Sequence, residues 1–120
     1  MEVYITGIAG FIGTNLSLNL IKKGYKVSGI DNSCSKTENI ELLEKNNIKF
    51  KINSISKLTS LPVNPSTVVI HLAALGNVVE SVASPKTNFQ SNVVETIHLL
   101  ELLRETSCKN IIFSSTGGAL

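Results

Sequence analysis

The sequence has little of what marks metal-binding, redox or nucleic-acid-binding proteins. Its two cysteines, Cys34 and Cys108, are far apart and belong to no Cys-x-x-Cys or Cys/His cluster. Neither a metal site nor redox chemistry is therefore indicated, and two stray thiols fit a reducing cytosol at least as well as a disulfide. The net charge is only +2 and the lysines are scattered, which argues against nucleic acid as a partner.

Long apolar runs are also missing. No run approaches the ~20 residues that a membrane-spanning helix needs. The first apolar stretch has no basic leader and is interrupted by Gly7, Gly10 and Gly13, so it does not resemble a signal peptide. We expect a cytoplasmic protein that does not contact a membrane.

What remains is a chain of 120 residues, 42% hydrophobic and 17% charged, which predicts one well-buried domain. β-branched runs alternate with stretches of helical periodicity. The predicted strands are residues 2–6, 25–30, 48–52, 67–72 and 110–114, and the predicted helices are residues 11–23, 37–45 and about 88–105. Short loops between them indicate βαβ units, an α/β fold with a doubly wound parallel sheet of the Rossmann type, and the strand order 3-2-1-4-5.

The segment from Thr6 to Gly13 places three glycines between the first strand and the first helix. Gly7 permits a tight turn, Gly10 lets a pyrophosphate approach the backbone, and Gly13 lets the helix pack close to the strand. The free N–H groups and positive end of the helix would then face the phosphates. A purely structural glycine turn is the alternative, but the strand–turn–helix context favours dinucleotide binding.

Asp31 ends the second predicted strand, 18 residues after Gly13. A carboxylate there can accept hydrogen bonds from the adenosine ribose hydroxyls and would repel a 2′-phosphate, so NAD is preferred to NADP. The single arginine, Arg104, is far away in sequence, and Lys36 is the nearest cation. The alternative is that Asp31 only forms a turn.

With these motifs in order, the sequence resembles the extended short-chain dehydrogenase/reductases, in particular the NAD-dependent sugar-nucleotide epimerases and dehydratases. Among the members of that family, the sequence resembles the UDP-galactose and UDP-glucose 4-epimerases. The likeness covers the whole chain. It is carried by the TGxxGxxG-like turn, the DN-rich loop at 31–36, His71-Leu72-Ala73-Ala74, residues 79–85, Asn92-Val93-Val94-Glu95-Thr96 and the Ser/Thr-rich segment 113–119.

The resemblance implies a role for each matching position. Phe11 and Ile12 would offer amides to the pyrophosphate, Asp31 to Lys36 would surround the adenosine ribose, and Leu72 to Leu75 would line the ribose on the nicotinamide side. Thr116 matches the family's catalytic Ser/Thr, whose hydroxyl binds the reacting oxygen of a nucleotide-sugar substrate. The cofactor-binding set is then Gly7, Gly10, Phe11, Ile12, Gly13, Asp31, Asn32, Ser33, Ser35, Lys36, Ser54, Ile55, Leu72, Ala73, Ala74 and Leu75, with no metal ligand.

Four positions depart from the family pattern. Ser54 stands where the family has an acidic residue against adenine, and Glu95 replaces a glycine. Ser91 and Gly76 also differ from similar members, which have asparagine and lysine there. None of these changes removes the expected pyrophosphate or ribose contacts.

Two histidines and a leucine-rich helix have structural interpretations. His71 ends an apolar strand, which favours a hydrogen-bonded structural histidine over a catalytic one. His98 lies among leucines and is expected at the surface or in packing. The apolar residues between Ile97 and Leu103 are expected to be core, since no heptad continues.

The family's proton chemistry uses a tyrosine and a lysine four residues later. Tyr4 and Tyr25 are the two tyrosines, and neither has such a lysine. We therefore expect residues 1–120 to form the NAD(H)-binding domain of a longer enzyme, cut before the Tyr-x-x-x-Lys segment and the substrate-binding domain, and inactive alone. A non-catalytic NAD(H)-binding or sensing module is a second hypothesis, and self-association through an open edge strand is a third.

Overall fold

The computed structural model describes residues 1–32, 36–75 and 78–115. Its five parallel strands are β1 (Glu2–Thr6), β2 (Lys26–Asp31), β3 (Lys49–Ile52), β4 (Val68–His71) and β5 (Asn110–Phe113). They form one sheet in the order β3-β2-β1-β4-β5. The predicted α/β class and strand order are confirmed.

Helices cover both faces of this sheet. The helices are α1 (Phe11–Lys22), α2 (Thr37–Lys45), α3 (Val78–Ala83), α4 (Pro85–Phe89) and α5 (Glu95–Arg104). A 3₁₀ turn spans Ile55–Lys57, and a π-helical turn, Gln90–Val94, joins α4 to α5. The core therefore has two halves, as a doubly wound sheet requires.

Each half of the core is built on alternate residues of the central strands. Val3 and Ile5 of β1 pack with Leu43 of α2 and Ile48 on one face. Tyr4, between them in sequence, points to the other face and packs with Leu99 of α5. This alternation follows from the two-residue side-chain period of a strand. Each face of β1 therefore contributes to a separate hydrophobic cluster.

The long helix predicted at residues 88–105 is instead divided into segments. Pro85 occupies the first turn of α4, where its missing N–H costs no hydrogen bond, so helix begins three residues earlier than expected. Helix α3 was not predicted. β2 ends at Asp31, as predicted, and begins at Lys26, one residue later than expected.

One expectation about burial was wrong. Leu99 and Leu103 of α5 are buried, but Ile97 and Leu100 are 54% and 45% exposed. One stripe of the helix faces the sheet, and these two side chains lie outside it. β5 is an edge strand with β4 as its neighbour, and Ile112 on it is 55% exposed. Within the described ranges, no helix is long and apolar enough to cross a membrane.

Candidate functional site

A cleft of about 730 Å³ opens at the carboxyl ends of the strands, which is where ligands bind in open α/β sheets. Twelve of the predicted cofactor residues line it: Gly7, Gly10, Phe11, Asp31, Asn32, Lys36, Ser54, Ile55, Leu72, Ala73, Ala74 and Leu75. Gly13 and Ile12 lie in α1 beside it. Ser33, Ser35 and Thr116 were also predicted as site residues and lie outside the described residues.

The glycine turn between β1 and α1 is packed too tightly for side chains. Gly7 has a φ of 73°, and a Cβ there would lie 2.9 Å from the backbone nitrogen of Ala73. A Cβ at Gly13 would lie 2.2 Å from the Gly7 carbonyl oxygen and 2.8 Å from Ile8 Cα. The close packing of helix on strand that was expected at Gly13 is present.

This packing aims the start of α1 into the cleft. Gly10 precedes the helix without a side-chain cap, and the amide of Thr14 makes the first helical hydrogen bond, to the Gly10 oxygen at 2.9 Å. The amides of Phe11 and Ile12 belong to the first turn, where backbone donors have no partner within the helix. The result is a concentration of donors and partial positive charge suited to an anion.

Asp31 is held against this turn. Its Oδ2 accepts from the backbone N–H of Ala9 at 2.8 Å, and its Oδ1 accepts from the N–H of Asn32 at 2.8 Å. Asn39 of α2 donates from Nδ2 to the Ala9 oxygen at 2.8 Å. The carboxylate therefore fixes the glycine turn and also lines the cleft, so the turn-forming and ligand-binding interpretations are compatible.

Asn39 was not singled out from the sequence. It is one of several further lining residues, with Ala9, Asn53, Thr87, Gln90, Ser91 and Glu95. The signal for Asn39 was weak because an asparagine early in a helix is an ordinary surface residue. Its function depends on the distance between α2 and the glycine turn, which the tertiary fold sets.

His71 joins β4 to β1 and α5. Its Nδ1 lies 2.6 Å from Thr6 Oγ1, and its Nε2 lies 2.8 Å from Thr96 Oγ1. The Thr96 hydroxyl donates to the Asn92 oxygen at 2.9 Å. Because that donation uses the single hydroxyl proton of Thr96, His71 Nε2 must carry a proton and donate to Thr96. Nδ1 then accepts from Thr6.

The structural interpretation of His71 fits these contacts. Burial lowers the pKa of His71, and the nearby Glu95 carboxylate partly opposes that effect. A neutral imidazole with both nitrogens bonded connects three elements beneath the cleft. His98 also has a structural partner, the Leu58 oxygen, 2.8 Å from its Nε2.

The loop after β4 is held by an amide side chain. Asn92 accepts from the Leu75 N–H through Oδ1 at 2.7 Å and donates to the Leu75 oxygen through Nδ2 at 3.0 Å. The side chain thus pairs with both backbone groups of one residue, as a neighbouring strand would. The π-helical turn that contains Asn92 widens the helix where this contact is made.

The side of the cleft next to β3 carries a second polar arrangement. Ser54 Oγ donates to Glu95 Oε1, and the backbone N–H of Ser56 lies 3.5 Å from the same oxygen. Ser54 also caps the 3₁₀ turn by accepting from the Ser56 N–H. A carboxylate from α5 is therefore fixed beside residue 54.

A second cleft of about 770 Å³ lies at the amino ends of the strands and is lined by Tyr4, Tyr25 and Lys49, among others. Burial raises the pKa of Tyr4 to about 12. A tyrosine that serves as a general base needs the opposite shift. Tyr4 is therefore not prepared as a general base. No group of three or more potential metal ligands occurs among the described residues.

A glycine turn between a parallel strand and a helix, with an acidic residue ending the next strand, defines a dinucleotide-binding domain of the Rossmann type. The family model described as "NAD dependent epimerase/dehydratase family" matches residues 3–119. The chain belongs to that family.

Individual relatives are consistent with this assignment. The chain is 34% identical to a UDP-glucose 4-epimerase of Pisum sativum, over 96% of this chain and 36% of that protein. Its fold matches a UDP-glucose 4-epimerase of Thermotoga maritima solved with UDP-glucose (TM-score 0.84, 35% identity, 99% of this chain and 39% of the other). It also matches the enzyme of Bifidobacterium longum in complex with NAD⁺ and UDP (TM-score 0.84, 30% identity, 98% and 37%). The chain thus spans less than two fifths of these relatives.

Proposed function

We propose that this chain binds NAD in the carboxyl-end cleft and forms the cofactor-binding part of a sugar-nucleotide epimerase or dehydratase similar to UDP-glucose 4-epimerase. The observation that carries the proposal is the contact between Asp31 and the glycine turn. The Asp31 carboxylate, which would bind the ribose, accepts a 2.8 Å hydrogen bond from the Ala9 N–H. This bond links it to the turn that precedes the amides proposed to bind the pyrophosphate. One rigid unit therefore presents both groups to the ligand.

The residues present fit the cofactor. The space over Gly7 and Gly10 is free of side chains where a phosphate must approach the backbone. The amides of Phe11 and Ile12 would bind the pyrophosphate. Asp31, with Asn32 and Lys36 beside it, would bind the adenosine ribose, while Leu72 to Leu75 would line the other ribose. A negative Asp31 would repel the 2′-phosphate of NADP.

When bound, NAD supplies an acceptor for hydride from a sugar carbon. The chain would orient the nicotinamide end through the Leu75 backbone, which Asn92 fixes on both sides. Thr116 is proposed to hydrogen-bond the reacting sugar oxygen, and a tyrosine–lysine pair would take its proton. We propose that this pair, the sugar-binding domain and a strand that pairs with β5 are encoded beyond residue 120.

The alternative is a non-catalytic module that binds or senses NAD(H). The two functions share the cleft and differ in what the natural protein does with a nucleotide sugar. Turnover of UDP-glucose or a related nucleotide sugar by the natural full-length protein would support the enzyme. NAD binding without any turnover of nucleotide sugars would support the module.

Calorimetric titration of the chain with NAD and NADP tests the binding proposal. We expect NAD to bind more tightly than NADP. Asp31→Asn should weaken NAD binding about tenfold and narrow the difference between the cofactors, since it removes a charged acceptor. Glu44→Gln, a matched change of an exposed carboxylate on α2, should alter neither affinity. Equal affinity of the unaltered chain for NAD and NADP would contradict the role of Asp31.

A further inference from the structure

The Ser54–Glu95 contact has no part in the pyrophosphate and ribose contacts proposed for NAD. Glu95 is half-buried at the start of α5. Ser54 lies in the loop between the edge strand β3 and the 3₁₀ turn. Both line the carboxyl-end cleft. The Ser54 hydroxyl and the Ser56 N–H converge on Glu95 Oε1, so this loop does not engage Oε2. Among the described residues, the loop after β3 bonds one oxygen of this fixed carboxylate, so the second oxygen can accept a hydrogen bond from a ligand.

The position of this carboxylate relative to Asp31 indicates which part of a ligand it meets. The Asn53 N–H donates to the backbone carbonyl oxygen of Asp31 at 2.8 Å, so residues 53–55 lie directly beside the ribose-binding residue. This step rests on the proposed binding of NAD. With the pyrophosphate at α1 and the ribose at Asp31, the base attached to that ribose extends over β3, toward Ser54 and Ile55.

The surroundings there suit a purine with an amino group. Ile55 packs into the core and also lines the cleft, where it gives the ring an apolar contact. Ser54 is already oriented toward Glu95 by its hydrogen bond. A carboxylate accepts hydrogen bonds and cannot donate them, so it favours an exocyclic amino group and repels a carbonyl oxygen at the same place.

We propose that Glu95 binds the 6-amino group of adenine and sets the preference of the cleft for an adenine dinucleotide. Ser54 carries no charge, and its role is to position the Glu95 side chain through their hydrogen bond. The acidic group at the adenine end of the cleft thus belongs to α5, which packs on one face of the sheet. The wall of the cleft at this end is formed by the loop after β3.

Two dinucleotides that differ at this edge of the purine test the proposal. Nicotinamide hypoxanthine dinucleotide has a carbonyl oxygen in place of the 6-amino group of NAD, and its N1 carries a proton where N1 of adenine is an acceptor. We expect the unaltered chain to bind NAD at least about tenfold more tightly, the size of a hydrogen bond to a charged group. Glu95→Ala should lose most of that preference, mainly through weaker NAD binding. Glu101→Ala, on the exposed face of α5, is the matched control and should keep it.

A relocated carboxylate separates base binding from a merely structural effect on α5. Because residues 54 and 95 are in hydrogen-bond contact, the double variant Ser54→Asp/Glu95→Ala places a carboxylate in nearly the same position. It should restore the preference that Glu95→Ala loses. A preference that survives in Glu95→Ala, or that the double variant does not restore, would overturn the proposal.

Failure of this proposal and failure of cofactor binding have different signatures. If the chain binds NAD and responds to Asp31→Asn, but Glu95→Ala keeps the preference for NAD, only the role of Glu95 fails. If neither dinucleotide binds the unaltered chain, the NAD proposal fails, and the role of Glu95 fails with it.

Discussion

Thr6 and His71 are 65 residues apart in sequence, and their side chains meet in a hydrogen bond of 2.6 Å between adjacent strands β1 and β4. Thr6 Oγ1 also accepts from the backbone N–H groups of Leu72 and Ala73, at 3.1 and 3.2 Å. The hydroxyl therefore donates to the imidazole and accepts from the loop that forms one wall of the cleft. A proton added to Nδ1 of His71 would meet an oxygen whose acceptor sites are already in use.

Acidification should therefore destabilise the fold through His71. The pKa of His71 in the folded chain lies below its ordinary value of 6.5, with burial as the main cause. As the pH falls below about 6.5, the unfolded chain binds this proton before the folded chain does, so the free energy of unfolding decreases. Urea unfolding at pH about 7.5 and about 5 measures the change.

The matched variants for that measurement are His71→Gln and His98→Gln. Replacing His71 should reduce the loss of stability on acidification, because the group that titrates differently in the two states is gone. Replacing His98 should leave the contribution of His71 in place. An identical pH dependence in the unaltered chain and in His71→Gln would contradict this account.

Thr6→Val should destabilise the chain by about 2 kcal/mol or more, since His71 Nδ1 and the Ala73 N–H lose their buried partner. Thr6→Ser keeps the hydroxyl and should cost less. Chemical denaturation of the two variants gives the comparison. If valine and serine had the same effect, the hydroxyl would not be the stabilising group.

Gly13→Ala should be more damaging than a change at Gly24. A Cβ at Gly13 would meet backbone atoms of Gly7 and Ile8, and a backbone clash is relieved only by moving the helix, at a cost of about 1–3 kcal/mol or more. Gly24 has a φ of 87° with open space around it, so Gly24→Asn is tolerated there because asparagine adopts this conformation. Thermal unfolding of both variants tests the ranking, and a milder effect at Gly13 would refute it.

The exposed strand β5 should promote self-association of the isolated chain. Ile112 and Phe113 are 55% and 57% exposed on this edge strand, and an open apolar edge can pair with another copy. Light scattering should show oligomers that increase with concentration, and Ile112→Lys should reduce them. Val82→Lys, an exposed apolar residue of α3, is the control. A monomer at all concentrations would exclude pairing through β5.

Much of the fold followed from local patterns. The glycine turn, the alternating β-branched runs and the helix stop at Lys22-Lys23-Gly24 are local signals, and they gave β1 and α2 with the observed bounds. The strand order then followed from the assignment of these βαβ units to a doubly wound sheet of the Rossmann type. The exposure of Leu100 could not be predicted in this way, because the apolar stripe of α5 is set by which side meets the sheet.

The parts of the site that sequence patterns missed depend on contacts between distant segments. Glu95 and Ser54 are separated by 41 residues. Ser54 was predicted to bind the cofactor, whereas Glu95 was visible only as a departure from the family pattern. That the two departures meet at one place follows from the packing of α5 against the 3₁₀ turn after β3. Asn92 was likewise part of a motif, but its pairing with the Leu75 backbone requires the π-helical turn.

The central claim is that NAD binds at the carboxyl ends of the strands, on the glycine turn and Asp31. Amide chemical shifts of the ¹⁵N-labelled chain, recorded during titration with NAD, test it most directly. We expect saturable changes in the amide chemical shifts of Gly10, Phe11, Ile12 and Asp31. The shifts of Tyr25 and Lys49 in the amino-end cleft should change little. Shifts confined to the amino-end cleft, or none that saturate, would contradict it.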